Sequence, residues 1–281
     1  MLKVWQRSNR RAGWATTAAV LGMALLAAPA WAQGQGQPQS RPASRPDDKL
    51  PSAQSLLASM VKAMGGEANL RKITHRTLTG TFELPMAQIK APLVIHGAAP
   101  NLRHVSVEIG DAGMFLNGFD GKVAWRDDPQ SGAAVIEGPR REQIVQEADF
   151  YAALNYRKNF KSVEVAGLVE FNDVRCYQLT LTPRDGVPEM LYINAETNLV
   201  AGGELTIIGP EGEVEIRRIV EEYREVDGVQ VAVKSRTIID GFQEQIVTIT
   251  EVSHEPFDHT IFELPDSIKA LLKEKQPPAT P

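Results

Sequence analysis

Cysteine is almost missing from this 281-residue chain. Cys176 stands alone, so no internal disulfide can form and stability has to come from a buried core. Signatures of chemistry are missing too. There is no HExxH or HxH metal pair, no G-x-S-x-G nucleophile elbow, no P-loop, and no G-x-G-x-x-G opening a helix after a strand. A basic excess is also lacking: the net charge is −5, without the cationic footprint that nucleic acid or an anionic membrane surface would select. Beyond residue 33 no apolar run approaches the roughly 20 residues needed to cross a bilayer.

What is present begins with the first 33 residues. Lys3, Arg7, Arg10 and Arg11 precede an apolar stretch from Ala15 to Ala28 and the small-x-small signal Ala30-Trp31-Ala32. This pattern predicts a cleavable export leader over residues 1–32, by a Sec or a twin-arginine route. Gln33 follows the expected cut, where a lipid-anchored protein would need a cysteine. The expectation is therefore a periplasmic protein with no stable membrane anchor. Losing four of the 30 basic residues leaves 26 against 35 acidic ones, a net charge of −9, which favours solubility. About 250 mature residues can bury roughly 70 to 75% of their unfolded surface, enough for one domain.

Residues 33–51 are rich in Gln, Pro, Gly and Ser and read as a disordered tether; residues 276–281 read as a disordered tail. Between them, 52–275 reads as one domain. Ser52 can cap a helix whose apolar residues Leu57, Met60, Val61 and Met64 recur at helical spacing until Gly65-Gly66. A short helical turn over 67–72 follows. The period then switches to two: Leu78, Phe82 and Leu84, then Ile89, Ala91, Leu93 and Ile95, then Val105, Val107 and Ile109 alternate with polar neighbours. Further strands are predicted at 113–118, 122–127, 133–137, 162–171, 174–183, 187–194, 199–208, 213–225, 229–240 and 243–253. Asp120-Gly121, Asp185-Gly186 and Asp227-Gly228 mark hairpins. A helix is expected from Pro139 to about Leu154, and a short one from Asp266 to Lys273.

Strand–helix–strand alternation is absent, which speaks against a doubly wound sheet. A meander this long with few helices must close into a barrel, split into a sandwich, or curl and let helices cover one face.

The polar clusters favour plain readings. Glu213, Glu215, Glu221 and Glu222 lie in alternating strand patterns and read as a solvated face. A hydrolase working through paired carboxylates gains no further support. Among the five histidines, His254 and His259 with Glu255 and Asp258 are the densest group and read as a turn rather than a metal site. Cys176, inside an alternating strand, reads as a small buried residue. Trp5, Trp14 and Trp31 would leave with the leader, which makes Trp125 the sole mature tryptophan, either core or cavity wall.

Several segments carry a family likeness. Pro100-Asn101-Leu102-Arg103, the stretch from Leu116 to Asp127, Ala148-Asp149-Phe150, the stretch from Glu222 to Val229 and Phe262-Glu263-Leu264-Pro265 together resemble the outer-membrane lipoprotein-sorting family, the LolA- and LolB-like proteins, over about residues 52–266. The resemblance implies a mainly β fold with a few α-helices: a single curled antiparallel sheet, an unclosed half-barrel, with helices covering the concave side. It implies no enzyme activity and no cofactor, but a soluble carrier of lipid or acylated protein cargo in a hydrophobic cavity. Sorting members carry an arginine before the proline matching Pro100; Ala98-Ala99 stand here, so lipids or other apolar ligands fit the implied role as well as lipoproteins. The expected cavity residues are Leu57, Met60, Val61 and Met64 from the first helix, Phe82, Leu93, Ile95, Leu116 and Trp125 from the sheet, and Val145 and Phe150 from the mid-chain helix. An envelope sensing or scaffolding module on the same fold is the alternative.

Overall fold

The computed structural model describes residues 50–274, apart from 185–186 and 210–211. The expected leader, nearly all of the tether, the tail and the Asp185-Gly186 turn lie outside the described residues. Helix α1 (Ala53–Ala63) is capped as its sequence suggests, the Ser52 hydroxyl accepting from the Ser55 amide at 3.1 Å. It stops before Gly65, whose φ of 114° suits glycine and where a Cβ would meet the Gly228 carbonyl at 2.3 Å. Helix α2 (Glu67–Lys72) follows and leads into the sheet.

Thirteen strands build one antiparallel sheet. The first six run β1 (His75–Leu84), β2 (Ile89–Ala98), β3 (Leu102–Ile109), β4 (Gly113–Phe119), β5 (Ala124–Asp128) and β6 (Gly132–Ile136). The others run β7 (Phe160–Phe171), β8 (Val174–Pro183), β9 (Glu189–Asn194), β10 (Val200–Gly209), β11 (Gly212–Val226), β12 (Val229–Ile239) and β13 (Gln243–Ser253). Their spatial order is β6-β5-β4-β3-β2-β1-β13-β12-β11-β10-β9-β8-β7. The two halves therefore meet where β1 pairs with β13, and β6 and β7 are the free edges. Hairpin chemistry fixes the register: Asp227 and Gly228 both have positive φ, as a tight β11–β12 turn requires.

To pass from edge β6 to edge β7 the chain crosses the sheet through α3 (Gly138–Ala148) and α4 (Tyr156–Asn159). The expected helix to Leu154 ends early. Asp149 stops it: its carboxylate accepts from the Tyr151 amide and from the Asn155 and Asn159 side-chain amides, turning the backbone before a new helical turn begins. A last helix, α5 (Asp266–Glu274), closes the chain.

The register also defines two faces. Through paired residues, Leu191, Gly203, Arg218, Thr237 and Gln245 share a face with Val247, Phe82, Ala91, Leu93, Val107 and Phe115. This face is concave. Glu147 of α3 reaches Arg103 of β3 at 3.6 Å and Arg218 of β11 at 3.9 Å. Those strands stand five steps apart, roughly 24 Å on a flat sheet, too far for two side chains to meet on one carboxylate. The sheet must curl. Because β6 and β7 do not pair, it curls without closing, and α3 lies in the trough against β4, β5 and β10.

Apolar alternation supplies the inner lining. Phe82, Leu84, Leu93, Val105, Val107, Val233 and Ile249 form one buried cluster over β1–β3 and β12–β13. Leu179, Leu181 and Ile193 form another under Leu56 and Met60 of α1. The outer face is not bare. The segment from His254 onward folds back across it, bringing Phe257 and Phe262 near His75 and His96, while the Ser267 hydroxyl donates to Asp127. Helix α5 thus packs on β5 and β6 from outside, and the concave side is left to the earlier helices.

Candidate functional site

The inner face brings together nine of the eleven expected residues. Met60 is buried, and Leu57, Val61 and Met64 pack beside it on Leu179, Leu181 and Ile193. Phe82 and Leu93 are buried and Ile95 packs on them. Val145 lies on α3 against Phe119 and Ala124, and Phe150 packs with Ile73, Val229 and Val231. Phe150 also fills the space left by Gly97, whose missing Cβ would touch its ring at 3.6 Å.

Leu116 and Trp125 do not join them. Leu116 pairs with Ser106 and Asp127, and Trp125 pairs with Gly118, opposite His104; all these positions point to the outer face. Period two leaves no intermediate choice: Phe115 and Phe119 face inward, so their even-numbered neighbours face out. Trp125 is core after all, 1% exposed, with its ring 5.8 Å from that of His104.

The trough also holds charges that apolar periodicity could not signal. Arg103 donates to the Asn117 side chain at 3.1 Å and faces Glu147 together with Arg218. Arg140, in the first turn of α3, is held by Gln143 and also acts on Glu147. Burial pushes the Glu147 carboxyl up, but Arg103, Arg218 and Arg140 outweigh it and hold the group below the usual carboxylate range. Burial lowers Arg103, with Glu147 opposing and Arg218 reinforcing the shift. Glu189 of β9 is raised by burial, partly offset by Arg218. Two strands from Arg103, Arg76 of β1 lies across Gly97 from it in the register. Its guanidinium sits 5.0 Å from the Phe150 ring centre, and its buried Nε has no hydrogen-bond partner. Arg103 did carry a sequence signal: it occupies the inward position otherwise filled by Val105, Val107 and Ile109. Glu147 carried one too, lying next to Ala148 and one turn after Ile144 on the buried side of α3.

Among the described residues no group of three or more His, Cys, Asp or Glu side chains converges to hold a metal. No described helix is long and apolar enough to cross a membrane. Chemically the trough offers apolar surface at its walls and guanidinium groups beneath α3.

The fold recurs in solved structures. A LolA superfamily protein from Nitrosomonas europaea superposes with a TM-score of 0.52 at 12% identity, covering 76% of this chain and 99% of that one. The chain has the LolA fold. A lipoprotein-sorting protein domain from Vibrio parahaemolyticus, described as putative in the name it carries, gives 0.51 at 12% identity, covering 79% and 99%. A DUF1329 family protein from Desulfovibrio piger gives 0.52 at 10% identity, covering 75% and 98%. No family model and no curated protein matches the sequence. Identities this low speak for the fold alone; the site has to be argued from its own residues.

Proposed function

We propose that this protein is a periplasmic, non-enzymatic carrier of acylated cargo, lipid or lipoprotein, that shelters the acyl chain on the inner face of its half-barrel. The observation that carries the reading is the apolar trough crossed by α3, a short helix that meets the sheet through Glu147 and a modest apolar patch. Each buried CH2 is worth about 0.8 kcal/mol, so an acyl chain cannot cross water unsheltered. A carrier must also let go. In the state described here α1 and α3 occupy the face that cargo would take, so their packing competes with cargo and keeps release nearly balanced.

The test is direct: recover the protein from the periplasm of an export-competent host, extract it with organic solvent and analyse the extract by mass spectrometry. Stoichiometric acylated molecules are expected. A lipid-free extract, with no uptake from vesicles afterwards, overturns the reading.

A second reading, an envelope protein–protein module, is favoured by one feature. Met86 and Phe242, in the β1–β2 and β12–β13 turns, and Met114, at the start of β4, are exposed large apolar residues at the same end of the sheet. Exposed large apolar side chains gathered at one end of the sheet suit a partner protein. Pull-down with Met86→Ser/Phe242→Ser protein would lose a partner captured by the parent.

A further inference from the structure

We infer that Arg103, Arg140 and Arg218 form a head-group site, and that the acylated cargo carries an anionic phosphate or carboxylate which displaces Glu147 from them. This deepens the carrier reading and rests on it. Three guanidinium groups from β3, α3 and β11 act on one carboxylate in a partly buried trough. Glu189 is a further acid that Arg218 acts on, and burial favours its neutral form. Among these groups the cations exceed the anions. An uncompensated positive charge in an apolar setting is costly, and guanidinium pairs well with planar carboxylate or phosphate oxygens. Arg76 supports the same conclusion independently, since it adds a fourth inward cation in the same cross-strand row and its buried Nε is unsatisfied.

The geometry also couples binding to opening. Glu147 holds α3 to β3 and to β11 at once, at 3.6 and 3.9 Å, longer than close ion pairs. An anionic head group arriving at Arg103 and Arg218 takes the place of the Glu147 carboxylate and frees α3. The chain attached to that head group then finds the inner face uncovered. A neutral or cationic amphiphile gains the apolar wall but leaves the helix latched.

Displacement of a fluorescent apolar probe, N-phenyl-1-naphthylamine, by twelve-carbon amphiphiles below their micelle concentrations tests this. Dodecyl phosphate and dodecanoate are expected to bind at least tenfold more tightly than dodecyl maltoside, with the gap closing in high salt. Arg103→Gln/Arg218→Gln should erase the gap, since it removes the head-group contacts and the latch together, with dodecyl maltoside binding at least as tightly as in the parent. Should that variant fold poorly by circular dichroism, Glu147→Gln serves instead: removing the internal competitor should tighten the anionic ligands several-fold more than dodecyl maltoside, which gains only from the loosened helix. Equal binding of anionic and neutral amphiphiles by the parent overturns the inference while leaving the carrier reading standing. If no amphiphile displaces the probe, the carrier reading itself falls. Inorganic phosphate binding as tightly as dodecyl phosphate overturns the head-group assignment in favour of a free-anion site.

Discussion

The α3 segment crosses the inner face of the sheet and the C-terminal segment crosses the outer one, and the two crossings are sealed by different chemistry. On the inner face α3 is held by Arg103, Arg218 and Glu147 and by the small apolar contacts of Ile144, Val145 and Ala148. On the outer face the C-terminal segment closes over rings: Phe257, Phe262 and His259 pack with His75 and His96, and His104 packs with Trp125. His75 and His259 share a hydrogen bond at 2.8 Å between their Nε2 atoms, which requires one to donate and the other to accept. Charges at the inner seam can be exchanged for those of a ligand. Packed rings at the outer seam cannot, so the outer crossing reads as permanent and the inner one as the moving part.

The sharpest way to break that contrast is truncation. Trp125→Ala should cost about 3–5 kcal/mol in denaturant unfolding, because it empties a fully buried site. Val145→Ala, on the partly exposed inner helix, should cost about 1 kcal/mol. Equal costs would erase the distinction between core seam and lid.

Acid should separate the seams next. Burial, then His96 and Arg103, lower the His104 pKa from 6.5 to about 4. Below pH 6.5 the unfolded chain takes up a proton that the folded ring, 8% exposed, refuses, so stability falls as pH drops from 6.5 towards 4. The expected loss is about 3 kcal/mol. His96 is lowered by burial as well and adds in the same direction. His104→Leu should flatten the slope in urea titrations across this range. An unchanged slope would remove His104 from the account.

A smaller effect is expected at the inner seam. Glu147→Gln should change global stability by no more than about 1 kcal/mol, the scale of a partly exposed ion pair. Amide exchange should nevertheless quicken within α3 while β4 and β5 keep their protection. Smallest of all, Cys176, fully buried and with its thiol pushed up to about 11, should resist thiol reagents at pH 8 until the protein unfolds.

Much of this fold was legible in the alternation of residues. The runs through Phe82, Leu93 and Val107 are long enough that period two has only one reading, and Asp-Gly turns set hairpin ends. The curl and the absence of closure rested on the family resemblance, since alternation alone also allows a barrel or a sandwich. Faces were harder. Phe119 and Trp125 sit on opposite sides of one hairpin, and only the strand register, not hydrophobicity, separates them. The end of α3 departs from the expected helix because Asp149 makes a side-chain turn that competes with helix within a sequence of good helix formers. Arg103, Arg218 and Glu147 come from places 44 to 115 residues apart in the chain, and a contact of that range leaves no local pattern.

The central claim is that cargo occupies the inner face and leaves the outer face undisturbed. Its most direct test is a fluorescence titration with dodecyl phosphate of two proteins recovered from the periplasm: the parent, whose tryptophan is Trp125, and a Trp125→Phe/Phe150→Trp variant. The account predicts a saturable blue shift from the indole at position 150 and no change from Trp125. A response from Trp125, or none from position 150 in a folded variant, would contradict it.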